Sequence, residues 1–177
     1  MEGLPARVVV CSTEVTAMAR AVRGRAPARP RPTIQKVALA VAAVFVLIGV
    51  LGFVPGFTTH YGDLEFAGHH SEAKLIGLFQ VSILHNLVHL LSGLAGLVLA
   101  RRVAGARLFL AGGGAAYLGL WLYGFAIDRE TAANFVPFND ADNWLHLFLG
   151  FGMLALGLLL NNEVGTGGRP DSPLDRP

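Results

Sequence analysis

Four stretches of the chain are nearly free of charge, at 37–54, 75–100, 107–127 and 144–160. The second reads LIGLFQVSILHNLVHLLSGLAGLVLA between Lys74 and Arg101-Arg102. At about 26 residues it is long enough to cross a bilayer with some tilt. Wound as a helix, it gathers Ser82, His85, Asn86, His89, Ser92, Gly93, Gly96 and Ala100 within an arc of roughly 120°. Leu84, Leu87, Leu90, Leu91, Leu94 and Val98 fall on the other side. That pattern predicts a helix with its leucines towards lipid and its small and polar residues towards partner helices. The third stretch puts Gly112, Ala115, Ala116, Gly119, Tyr123 and Ala126 on one narrow face. In the fourth, Asn143, His146, Gly150, Met153 and Gly157 share about 80° of arc.

Composition sharpens this picture. Hydrophobic residues make up 53 % of the 177 and charged residues 15 %, against a charged fraction of about 25 % in ordinary soluble domains. The placement of charge sets an orientation. Of the fourteen Lys and Arg, only Lys74 and Arg129 fall in the two segments placed outside, and the rest lie in the N-terminal tail, the 101–107 turn and the C-terminal tail. This positive-inside bias predicts cytoplasmic termini at both ends. The expected fold is therefore all-α: an integral membrane bundle of four antiparallel transmembrane helices over residues 34–160. It is flanked by a disordered basic cytoplasmic tail at 1–33 and a disordered cytoplasmic tail at 161–177. The first span follows five arginines and has no small-residue cleavage site after it, so it reads as an uncleaved anchor rather than a signal peptide. Met18 is an alternative start. A single cysteine, Cys11, excludes an internal disulfide framework. The basic residues sit in tails rather than on a folded face, which argues against nucleic-acid binding.

His85-Asn86-Leu87-Val88-His89-Leu90, running on to Gly93, matches Asp142-Asn143-Trp144-Leu145-His146-Leu147, running on to Gly150. Spans one and three also end alike, in Gly52-Phe53 and Gly124-Phe125. The chain thus reads as two similar helical hairpins, a duplication of spans one and two as spans three and four. The segments VLGFVPGFTT, LGLFQVSILHNLVHLLSGLAGL and NDADNWLHLFLGFGML resemble a family of four-span actinobacterial membrane proteins grouped as domain-of-unknown-function family 4383. The resemblance covers about residues 37–160. It implies four spans in the bacterial inner membrane, and it brings no catalytic residues.

The candidate site is a polar intramembrane cluster of His85, Asn86, His89, Asn143, His146 and Tyr123. Asn and His on buried helix faces commonly hold a bundle together by interhelical hydrogen bonds, and that is the first reading. Haem b is the second: it needs an imidazole on each face, which His89 and His146 would supply, with His85 as the alternative ligand. A proton or solute path is the third, although no Asp, Glu, Lys or Arg lies deep in a span. No catalytic residue, metal site or cofactor is predicted; HExxH, P-loop and Ser-His-Asp signatures are absent. His60, Asp63, Glu65, His69, His70 and Glu72 crowd the first outer loop without fixed spacing and read as solvated. The expectation is a non-enzymatic inner-membrane protein, structural or accessory to a larger membrane complex, with the lipid bilayer and a homo-oligomer or larger complex as partners.

Overall fold

The computed structural model describes residues 31–160. The tail expected over 1–33, apart from its last residues, and the tail over 161–177 lie outside them. The fold is mostly helical: α1 (Thr33–Leu51), α2 (Ile83–Leu99), α3 (Val103–Ala126) and α4 (Asp140–Leu159). Three of these, α1, α3 and α4, are long and apolar enough to cross a membrane, and α2 is a shorter apolar helix. A π-helical stretch, Leu108–Gly112, interrupts α3.

Capping decides where the helices begin. Ser82 accepts a hydrogen bond from the His85 amide and starts α2. Asn139 accepts from the Asp142 amide at 2.9 Å, and the Asp142 carboxylate accepts from the Asn139 amide at 3.1 Å, a complete capping box for α4. The capping box explains why α4 opens at Asp140 rather than at the first strongly apolar residue, 144. Pro32 precedes α1, and Gly52 closes it.

The expected 75–100 span is corrected at its outer end, because its first eight residues are not helical. They hold β2 (Lys74–Leu75), a turn, β3 (Phe79–Gln80) and the cap Ser82. With β1 (Thr58–Thr59) these strands form a small antiparallel sheet in the order β1-β2-β3. Gly77, at φ +72°, lets the chain reverse between β2 and β3, and Ile76 beside it also takes a left-handed φ of +49°. Residues 57–82 therefore fold as a roof above the helices, on which His60, Asp63, Glu65, His70 and Glu72 are exposed.

Each helix pair packs through glycines. A Cβ on Gly93 would lie 2.6 Å from the Val46 nitrogen and 2.8 Å from the Ala42 oxygen, and one on Gly49 would meet the Leu90 nitrogen at 2.7 Å. In the second pair, a Cβ on Gly150 would meet Leu118, and one on Gly157 would meet the Ala111 nitrogen at 2.6 Å. Residue numbers rise along one partner as they fall along the other, so both pairs are antiparallel. Between the pairs lies a core of Ala38, Ala42, Phe45, Phe109, Leu110 and Met153. At the end of the helices away from the sheet, Gln35 Nε2 donates to the Ala100 carbonyl at 2.9 Å, satisfying one of the last carbonyls of α2.

Candidate functional site

The repeat seen along the chain recurs in the contacts. Asn86 on α2 is fully buried, and its carboxamide presses on Gly52 at the end of α1. Asn143 on α4 presses on Gly124 at the end of α3 in the same way. Two turns along α1 from Gly52, Phe45 stands edge-on to His89, with ring centroids 5.5 Å apart at 79°. At the matching place on α3, Tyr117 packs on His146 at 5.2 Å. Phe45 and Tyr117 then meet each other at 5.5 Å, as equivalent positions near an approximate twofold axis do. This aromatic pair at the centre holds His89 and His146 inward.

The outer ends bring in the third imidazole. His85 stacks on His89 with centroids 4.9 Å apart and planes 13° from parallel, which is the i, i+4 relation on one helix face. Phe138 stands edge-on to His146 at 5.0 Å. His85, His89 and His146 are all at least nine-tenths buried. None of their Nδ1 atoms has a hydrogen-bond partner among the described residues.

The three rings border two cavities. The larger, about 310 Å³, is otherwise apolar: Ile48 and Leu51 of α1, Leu75, Ile76, Phe79 and Val81 of the roof, and Leu145 and Leu149 of α4, with Asp142 at its edge. The smaller, about 90 Å³, lies towards α3, against Val88, Tyr117, Leu120 and the 135–138 segment. The imidazoles thus form a partition with apolar space on both sides.

Of the six site residues expected from sequence, the structure brings His85, His89 and His146 together. Asn86 and Asn143 sit at the hairpin seams, against glycine, rather than among the imidazoles. Tyr123 reaches only the rim of the smaller cavity, and its hydroxyl donates to the Ala133 carbonyl at 2.6 Å in the outer loop. No hydrogen bond links the three imidazoles to one another. Among the described residues, no group of three His, Cys, Asp or Glu side chains has an arrangement suited to a metal ion.

A family model described as a domain of unknown function, DUF4383, matches residues 35–159. The chain belongs to the DUF4383 family. No curated protein and no solved structure matches it. The DUF4383 region takes in all four helices, the roof and every residue that lines the two cavities.

Within this DUF4383 region, Asp142 is the residue at the edge of the larger cavity that is absent from the cluster expected from sequence. Its carboxylate is buried and accepts the Gln80 amide of β3 at 2.9 Å, besides that of Asn139. Asn139 Nδ2 donates to the Leu78 carbonyl at 2.7 Å. The N-terminus of α4 therefore anchors the roof of the cavity, where acceptors are also favoured by the helix dipole. The signal in the sequence was the Asn139–Asp142 spacing of a capping box. Its second job, holding β3, depended on a strand that the apolar run concealed.

Proposed function

We propose that this is a four-span inner-membrane protein, with both termini cytoplasmic, that acts as a binding module: it holds a small lipid-soluble molecule between its two hairpins. The role is non-enzymatic and accessory to other membrane components. The membrane reading is supported by three apolar helices of spanning length and by exposed side chains such as Leu47 on α1, Leu91, Leu94 and Val98 on α2, and Phe148 and Phe151 on α4. The short helix α2 completes four spans with help from the apolar roof residues above it.

The observation that carries the binding reading is an apolar cavity bordered by three imidazoles that come from two helices. A buried polar group without a partner costs about 1–3 kcal/mol. The seam residues Asn86 and Asn143 also keep buried polar atoms without a partner, so it is the apolar cavity beside the imidazoles that points to a ligand.

The test is native mass spectrometry of the full chain released from detergent micelles, with a visible spectrum of the same sample. One small-molecule adduct per chain, lost in His146→Leu, is the expected result. A bare chain mass throughout would sink the proposal. The second reading, haem between His89 and His146, is favoured by their matched positions on opposite hairpins. It predicts a Soret band that disappears in His146→Ala.

A further inference from the structure

The chemistry of the larger cavity narrows what it accepts, on the footing that it is a ligand site at all. Four features bear on this. No Lys or Arg lines the cavity, and the nearest formal charge is the Asp142 carboxylate at its edge. Carboxylate and phosphate head groups would thus enter a desolvated site without a counter-charge, which is costly. Asp142 receives the Gln80 and Asn139 amides on one carboxyl oxygen, Oδ2, which ties it into the roof.

The polar groups come from two sides. His85 and His89 project from α2, and His146 from α4. A neutral imidazole has one N–H donor and one acceptor nitrogen. A single hydroxyl can donate to one imidazole and accept from another only where both stand within reach of one oxygen. A flat head with oxygens on opposite edges engages both helices at once. The apolar walls and Phe79 suit the faces of such a ring.

The walls also suit a tail. The walls come from α1, α2, α4 and the β2–β3 turn, with Ile48 of α1 and Leu149 of α4 among the lining residues. The imidazoles lie one to two turns below the Ser82 and Asn139 caps, about 5–10 Å into the helices. A volume of about 310 Å³ is at the lower end of small-molecule sites, which run about 300–1,000 Å³. It has room for one ring and the start of a chain, and not for a two-chain lipid.

We infer that the larger cavity is a binding site for a quinone or quinol, its ring between His85/His89 and His146 and its apolar tail against Ile48 of α1 and Leu149 of α4. Each imidazole meets a quinone carbonyl as donor or a quinol hydroxyl as acceptor, so both forms of the ring fit. Binding is what is proposed; no electron transfer is assigned to the chain.

The experiment uses the full chain in lipid nanodiscs, titrated with a one-isoprene benzoquinone and, separately, the corresponding naphthoquinone. Retained quinone is measured after gel filtration. Saturable binding of one of them at one per chain is expected, weakened at least tenfold in His146→Leu and in His85→Leu. Leu145→Trp, which fills the cavity and leaves the imidazoles in place, should also abolish binding, and melting of each unliganded variant checks that it is folded. Binding of neither quinone, or equal binding by wild type and all three folded variants, overturns the inference. Parallel titrations with dodecanol, dodecylamine and decanoate separate the two levels of the argument. His-dependent binding of one of these without quinone binding rejects the quinone and keeps the ligand site, whereas no binding of any probe rejects both.

Discussion

In α2, Ser82 caps the helix and His85, three residues on, turns into the cavity. In α4, Asn139 caps the helix and Asp142, three residues on, turns back to its own cap and across to β3. The two hairpins otherwise repeat one another: an Asn against a terminal glycine, a His under an aromatic ring, a glycine seam below. One frame has thus been given two uses. The first hairpin spends its variable position on an extra imidazole, and the second spends it on fastening the roof. The difference separates the residues that build the frame from those that make the site, and it can be broken at each level.

The largest effect is expected at the seams. Gly93→Ala drives a methyl into the backbone of α1 and should cost about 3 kcal/mol, at the upper end for overpacking. Gly150→Ala meets the Leu118 side chain as well as its nitrogen and should cost about 1–2 kcal/mol, because a side chain yields more easily than backbone. Gly152→Ala, with nothing within 4 Å, is the neutral control. Thermal melts of the detergent-solubilised chain rank the three, and a reversed order of Gly93 and Gly150 would contradict the packing described.

Next come the two variable positions, matched in sequence and opposite in expected effect. Asp142→Asn weakens the acceptor of two amides and should cost about 1 kcal/mol. It should also speed hydrogen exchange at the Gln80 amide. His85→Leu removes a buried nitrogen that has no partner, so the unliganded protein should melt at the same temperature or higher. Equal destabilisation by both substitutions would show that His85 is part of the frame.

The smallest effect separates the caps. Ser82→Ala should cost about 1 kcal/mol, as N-cap losses do. Asn139→Ala should cost a few tenths of a kcal/mol more, because Asn139 also donates to the Leu78 carbonyl. Equal costs in the same melts would mean that this second bond contributes nothing.

Much of the frame was legible in the chain because helical periodicity puts chemistry on faces. Spacing and the duplicated Asn/His segments group His85, His89 and His146, and all three border the same two cavities. Tyr123 was grouped with them because it shares a face with small residues, but a face does not reveal that a hydroxyl is taken by a loop carbonyl. The roof was hidden because Leu75–Val81 is as apolar as the helix that follows. Only Gly77 and the cap residue Ser82 marked the break. Phe45 and Tyr117 were hidden for another reason: one is purely apolar and the other carries a hydroxyl, so they do not look like equivalents. Extending the match of Gly52-Phe53 with Gly124-Phe125 backwards by a fixed offset aligns them.

The length of α2 has a consequence for the surroundings. Its 17 residues rise about 26 Å, whereas the 24 residues of α3 rise about 36 Å, against a hydrocarbon thickness of about 30 Å. In the proposed membrane setting, acyl chains beside α2 must shorten or tilt while those beside α3 need not. The exposed apolar Ile76 and Leu78 of the roof stand above α2 and narrow that step, so the annulus is only slightly uneven around the protein.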